Sequence, residues 1–147
     1  MRNTLQAVLD HKGGVVHHIT PSSTVLEAVR KMNQERIGAL LVCADDELFG
    51  IFTERDLLTR VLDSDRDPAQ TRIADVMTSR VVVVSPATTV DEAMAIITEQ
   101  RCRHLPVMEG GKLVGLVSIG DLTRWMTRKQ HFEIQNLVNY ITRKYPA

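Results

Sequence analysis

One stretch of this chain occurs twice. Residues 21–57 fall on residues 86–122 without a gap at an offset of 65 positions, and 12 of the 37 aligned pairs are identical. Among the identities are Pro21/Pro86, Thr24/Thr89, Glu27/Glu92, Arg36/Arg101, Gly50/Gly115 and Asp56/Asp121, and other pairs keep their class, as Met32/Ile97 and Thr53/Ser118 do. Two copies of one short unit predict a pseudo-twofold module, in which the crevice between related halves is the natural place for a ligand.

Each copy has the same order of signals. A β-branched run comes first (Val15, Val16 and Ile19; then Val81 to Val84), and Thr20-Pro21 or Ser85-Pro86 ends it. Thr24 with Glu27, and Thr89 with Glu92, fit the S/T-x-x-E capping pattern and place helix starts at both threonines. Val25, Ala28, Val29 and Met32 then follow helical spacing, as do Val90, Ala93, Met94 and Ile97. Strands are expected over 39–43 and 104–108, with turns at Asp45-Asp46-Glu47 and Gly110-Gly111-Lys112. Return strands follow over 48–52 and 113–117, and Thr53 and Ser118 open a second helix. The predicted fold class is therefore mixed α/β (α+β), two tandem β-α-β-β-α repeats followed by a C-terminal amphipathic helix.

The repeats are assigned to residues 5–63 and 71–127, the polar linker to 64–70 and the tail to 128–147. Leu5, Val8 and Leu9 lead into the first copy as Ile73, Val76 and Met77 lead into the second. The first lead-in stands three residues further from its proline, an excess that a turn at Gly13-Gly14 can absorb. In the tail, Ile134, Leu137, Val138 and Ile141 share one helical face that must be buried either on the module itself or against another subunit.

Charge narrows the function classes. Lysine plus arginine and aspartate plus glutamate each number 18, so the chain lacks a bulk basic field for nucleic acid or an anionic membrane. No apolar run approaches the ~20 residues of a membrane span, and the opening residues lack a signal peptide's apolar core. Two cysteines at non-equivalent positions, Cys43 and Cys102, each lie in or beside an apolar run and read as buried thiols in a reducing compartment, which makes the cytoplasm the expected location. His17 and His18 are adjacent on a strand and point to opposite faces, so no metal site is expected from them or from His11. No nucleophile elbow, P-loop, GxGxxG or HExxH occurs, and no enzyme activity is expected. Trp125 lies among Leu122 and Met126 and reads as a packing residue.

The segments GIFTERD and GLVSIGD close the two copies in the pattern G-h-h-[TS]-x-x-D. With the duplicated β-α-β-β-α order they make the chain resemble the CBS domain over roughly residues 5–127, two in tandem forming a CBS pair or Bateman module. The strand RCRHLPV and the tail's Tyr140-Ile141 are similar to those of small stand-alone CBS-pair proteins. The resemblance implies a compact disc with two clefts that bind adenosine ligands such as AMP, ADP, ATP or S-adenosylmethionine. It also implies regulation of a partner protein without catalysis, and homodimerisation.

By that resemblance Asp56 and Asp121 take ribose hydroxyls, with Thr53 and Ser118 at the ribose or α-phosphate. Adenine lies against Ile19-Thr20 and Val84-Ser85, and Arg103 with His104 reaches the phosphates. The carboxylates have a second reading from the residues alone, since T-x-x-D also caps a helix start. Arg55 adds a cation at a helix start, where it opposes the macrodipole. The first copy has Gly38-Ala39 where the second has Arg103-His104, and the second has Gly120 in place of Arg55, so one cleft is expected to be better charged for phosphate. A ligand-free homodimerising scaffold that works through its last helix is the alternative.

Overall fold

The computed structural model describes residues 2–13 and 15–144. The elements are α1 (Leu5–Lys12), β1 (His18–Ile19), α2 (Val25–Glu35), β2 (Ala39–Ala44), β3 (Glu47–Thr53) and α3 (Glu54–Asp56), which runs on as a π-helical stretch, Leu57–Leu62. Then follow α4 (Ile73–Val76), α5 (Val90–Gln100), β4 (His104–Glu109), β5 (Lys112–Ser118) and α6 (Ile119–Lys144). The mixed α/β repeat is present in both copies.

The caps and faces form from the residues that signal them. Thr24 Oγ1 accepts the Glu27 amide at 3.2 Å and Thr89 Oγ1 the Glu92 amide at 3.1 Å, each satisfying a donor that the first turn leaves free. Val25, Ala28 and Met32 are buried on α2, and Val90, Ala93 and Ile97 on α5. Each antiparallel hairpin slips register at the same place, Val42/Cys43 and Val107/Met108. Gly110 and Gly111 turn the second hairpin at φ 58° and 78°; Asp45 and Asp46 hold the same left-handed conformation at φ 50° and 64°. Gly13 ends α1 at φ 95°, and Gly14 lies outside the described residues.

The copies differ in their first strand. In the first, β1 pairs in parallel with β2, and the Leu41 amide donates to the His17 carbonyl at 3.2 Å. The position equivalent to Leu41 is Pro106, which has no N–H to give. The expected strand over 81–84 is accordingly reduced to one bridge, Val84 to Val107.

The lead-ins exchange places. The Leu5 and Gln6 amides donate to Thr88 and Pro86 carbonyls at 2.9 and 3.0 Å, and Val90 donates back to Asn3 at 3.0 Å. Equivalent bonds join Ile73 to Ser23 (2.8 Å), Ala74 to Pro21 (3.0 Å) and Val25 to Thr71 (2.9 Å). Leu5, Val8 and Leu9 therefore fill the core of the second repeat with Leu105, Leu122 and Trp125. Ile73 and Val76 fill the core of the first with Leu40, Phe52 and Val61. A third cluster, Ala39, Leu41 and Ile51 with Leu113 and Leu116 against it, joins the two sheets. Trp125 is a core residue, its Nε1 donating to Asn3 Oδ1 at 3.3 Å.

The expected C-terminal amphipathic helix is present, as the second half of α6. It continues α6 without a break to Lys144, and its apolar stripe is not buried on the module: Ile134, Leu137, Val138 and Ile141 are 48–60% exposed. On a 100° wheel this stripe is rotated by about 140° from Leu122 and Trp125, so the face that docks the first half of α6 cannot also dock the second. Among the described residues no helix is long and apolar enough to cross a membrane.

Candidate functional site

The β5–α6 junction gathers charge at the boundary between repeats. Ser118 and Asp121 form a reciprocal cap: the Ser118 amide donates to Asp121 Oδ2 at 2.9 Å, and the Asp121 amide donates to Ser118 Oγ at 3.1 Å. Lys12 reaches in from α1, donating to Asp121 Oδ2 and to the Leu116 carbonyl, both at 2.7 Å. Arg124 Nη2 donates to Oδ1 at 2.7 Å. Burial alone would raise the Asp121 pKa, but the Lys12 ammonium and the Ser118 donors outweigh it and hold the carboxyl below its ordinary range.

His104 stands directly across the ladder from Ser118. Burial lowers its pKa, with the Asp121 and Glu54 carboxylates opposing and the Lys12 and Arg103 charges assisting, so the neutral imidazole is favoured. Glu54, whose charge reaches His104, belongs to the first repeat. Arg103 is exposed beside it, its carbonyl accepting the Ile119 amide at 2.9 Å.

The matching junction in the first repeat is closed. Asp56 is 5% exposed. Its Oδ2 accepts the Thr53 amide at 3.0 Å and the Thr53 hydroxyl at 3.2 Å. Its Oδ1 accepts the Thr78 hydroxyl at 3.0 Å and lies 3.5 Å from Arg60 Nε. Both oxygens are thus occupied by the residue's own neighbours, as a cap requires. Arg55 is exposed and makes no ion pair among the described residues. Ile19 and Val84 are buried. Thr20 is exposed with Oγ1 2.7 Å from Ser23 Oγ, and the exposed Ser85 donates its amide to Thr88 Oγ1 at 3.3 Å.

Two grooves among the described residues bear on this site. One of about 700 Å³ runs between α1 and α6 past Lys12, Asp121, Arg124, Trp125 and Arg128. The other, about 540 Å³, lies between the hairpins at Phe49, Gly50, Val83 and Met108. Of the ligand residues expected from sequence, only Asp121 lines either groove; Ser118 and His104 adjoin it in the fold, and Thr53 and Asp56 do not. Sequence reasoning missed Lys12, Thr78 and Arg124. Lys12 meets Asp121 across 109 positions, and nothing in a lysine after an apolar helix face announces that. Among the described residues no three His, Cys, Asp or Glu side chains are placed to share a metal. Cys43 and Cys102 are half-buried free thiols whose pKa values burial pushes up.

The family model for the CBS domain matches residues 8–63 and again 73–128. A mitochondrial CBS domain-containing protein of Arabidopsis thaliana is 38% identical over 131 residues, which cover 86% of this chain and 64% of that protein, so the chain spans just under two thirds of its relative. A solved putative signal-transduction protein with CBS domains from Burkholderia ambifaria is 41% identical with a TM-score of 0.83, covering 86% of this chain and 96% of that one. A hexameric CBS-CP12 protein from bloom-forming cyanobacteria, 25% identical with a TM-score of 0.74, covers 97% of this chain and 88% of its own.

Proposed function

The chain belongs to the CBS-domain family and carries the domain twice, and from that premise we propose that it is a non-enzymatic regulatory module. It binds an adenosine nucleotide (AMP, ADP or ATP) in the crevice between its repeats and relays ligand state to a partner protein. The observation that carries this reading is the buried Asp121 carboxylate, capped by Ser118 and covered by the Lys12 side chain, with His104 across the ladder from Ser118 and the exposed Arg103 next to His104 in the chain. An ionised carboxylate accepts two ribose O–H bonds, and an adjacent arginine offers phosphate a planar fork. The closed state of Asp56 restricts the proposal to one crevice, on the second repeat's side.

At Asp121 the nucleotide's ribose displaces Lys12 from Oδ2 and leaves that ammonium free for a phosphate. A ligand at one hundred times its dissociation constant would stabilise the fold by ~2.7 kcal/mol. It biases a partner only if bound and free forms contact that partner differently. Calorimetry and thermal shift with AMP, ADP, ATP, S-adenosylmethionine and adenosine test the reading. Binding is expected to vanish in Asp121→Asn and to persist in Asp56→Asn; no response to any of these ligands at millimolar concentration would overturn it. Because His104 favours its neutral form, phosphate affinity is expected to rise as pH falls below the ordinary histidine value of about 6.5.

A second reading, a homodimerising scaffold, draws on the exposed stripe of α6. Truncation after Arg128 removes Ile134, Leu137, Val138 and Ile141, whose exposure means that monomer stability should change by under ~0.5 kcal/mol. Sedimentation velocity should show full-length dimers and truncated monomers if this stripe is the dimer contact; dimers in both would assign the contact elsewhere. A cytoplasmic setting is supported by the two free thiols.

A further inference from the structure

We propose that the groove between α1 and α6 is a second binding site, one that takes a small phosphorylated ligand by its phosphate groups. Its basic rim is built from both helices. Arg124, Arg128 and His131 stand at i, i+4 and i+7 along α6, and His11 and Lys12 face them from the last turn of α1. One carboxylate, Asp121, lines the groove, and it already has two cations, Lys12 and Arg124, each at 2.7 Å. With the histidines neutral, the lining carries two positive charges more than it balances.

Folding accounts for part of this rim. His11 and Lys12 sit where α1 exposes its last carbonyls, a place that favours cations. It does not account for Arg128. This guanidinium makes no ion pair or side-chain hydrogen bond among the described residues, and it stands one turn from Arg124, where like charges repel. Two guanidiniums one turn apart present parallel planar donors, an arrangement suited to phosphate oxygens. Val8 and the indole of Trp125 supply an apolar wall, with the His11 ring 6.0 Å from Trp125 at a 56° tilt. A volume of about 700 Å³ is that of a small-molecule site.

The groove shares Lys12 and Asp121 with the nucleotide crevice proposed above. Arg128 lies seven residues along α6 from Asp121, about 10 Å of helix, and takes no part in that crevice, so its substitution tests the groove apart from the nucleotide reading.

Trp125 is the only tryptophan and forms the groove's wall, so its fluorescence reports occupancy directly. Titration of the full chain with pyrophosphate is expected to give a saturable fluorescence change. Arg128→Glu should weaken that binding about tenfold or more, whereas Arg128→Lys keeps part of it. Arg128 is exposed, so both variants should fold, which circular dichroism checks. Adenosine, which has no phosphate, is expected to bind wild type and Arg128→Glu alike. No saturable response to millimolar pyrophosphate, or equal affinity in Arg128→Glu, overturns the proposal. So does binding confined to a polyanion such as an RNA oligonucleotide, because that would make the rim an extended electrostatic surface.

Discussion

Replacing Gly50 with alanine is expected to lower folding stability by about 1–3 kcal/mol, and the same change at Gly115 by clearly less. A Cβ at Gly50 would stand 2.5 Å from the Thr78 carbonyl oxygen, whereas at Gly115 it would stand 2.6 Å from Leu9 Cδ2. The distances are alike but the obstacles are not. Leu9 can turn to another rotamer, while Thr78 is fixed by paired bonds with Ile51, amide to carbonyl at 2.9 and 2.8 Å. Moving it breaks those bonds and withdraws the Thr78 hydroxyl from Asp56 Oδ1, so the damage spreads to the first repeat's helix cap. Urea titration should show the Gly50→Ala midpoint falling at constant slope. Equal losses at the two glycines would mean that the exchanged lead-ins are not seated as described.

This pair of glycines also marks how far the sequence could be read. The repeat, both threonine caps, the apolar faces of α2 and α5 and all four hairpin strands follow local rules, since each depends on residues within a turn or a strand of one another. What the lead-ins pack against does not. The triplets Leu5-Val8-Leu9 and Ile73-Val76-Met77 present the same apolar spacing whichever repeat they join, and only the fold shows that each joins the other's core. Pro106 is a different case: its missing N–H was visible in sequence, but it shortens a strand only because the segment at Val82 would have been its acceptor, as His17 is for Leu41. The site divides the same way. Thr53-Asp56 and Ser118-Asp121 were legible as caps or as ribose ligands, and choosing between those roles needed the distant partners. Both carboxylates cap their helices; Thr78 and Arg60 also meet Asp56, and Lys12 and Arg124 also meet Asp121, and none of those four partners could be assigned from the local pattern.

Asp121→Asn is expected to remove about 1–3 kcal/mol of stability at neutral pH, towards the lower end because Lys12 and Arg124 are 34% and 74% exposed and water screens both pairs. The difference should disappear in acid. The folded protein holds the Asp121 pKa below its ordinary value, so the unfolded chain binds the proton first as pH falls. The stabilisation is complete above the unfolded value of about 3.9 and is lost as pH drops through the lower folded value. His104 has the same sign at higher pH: its folded pKa is also depressed, so stability declines as pH falls from about 6.5 towards that folded value. Wild type should therefore lose stability in two steps on acidification, and Asp121→Asn should keep the first and lack the second. The variant also removes a carboxylate that raises the His104 pKa while leaving the Lys12 charge that lowers it, so the imidazole should titrate at still lower pH. NMR titration of His104 reads this directly. A His104 pKa unmoved by Asp121→Asn would separate the two groups electrostatically, and the crevice on which nucleotide binding is proposed would lose its acidic half.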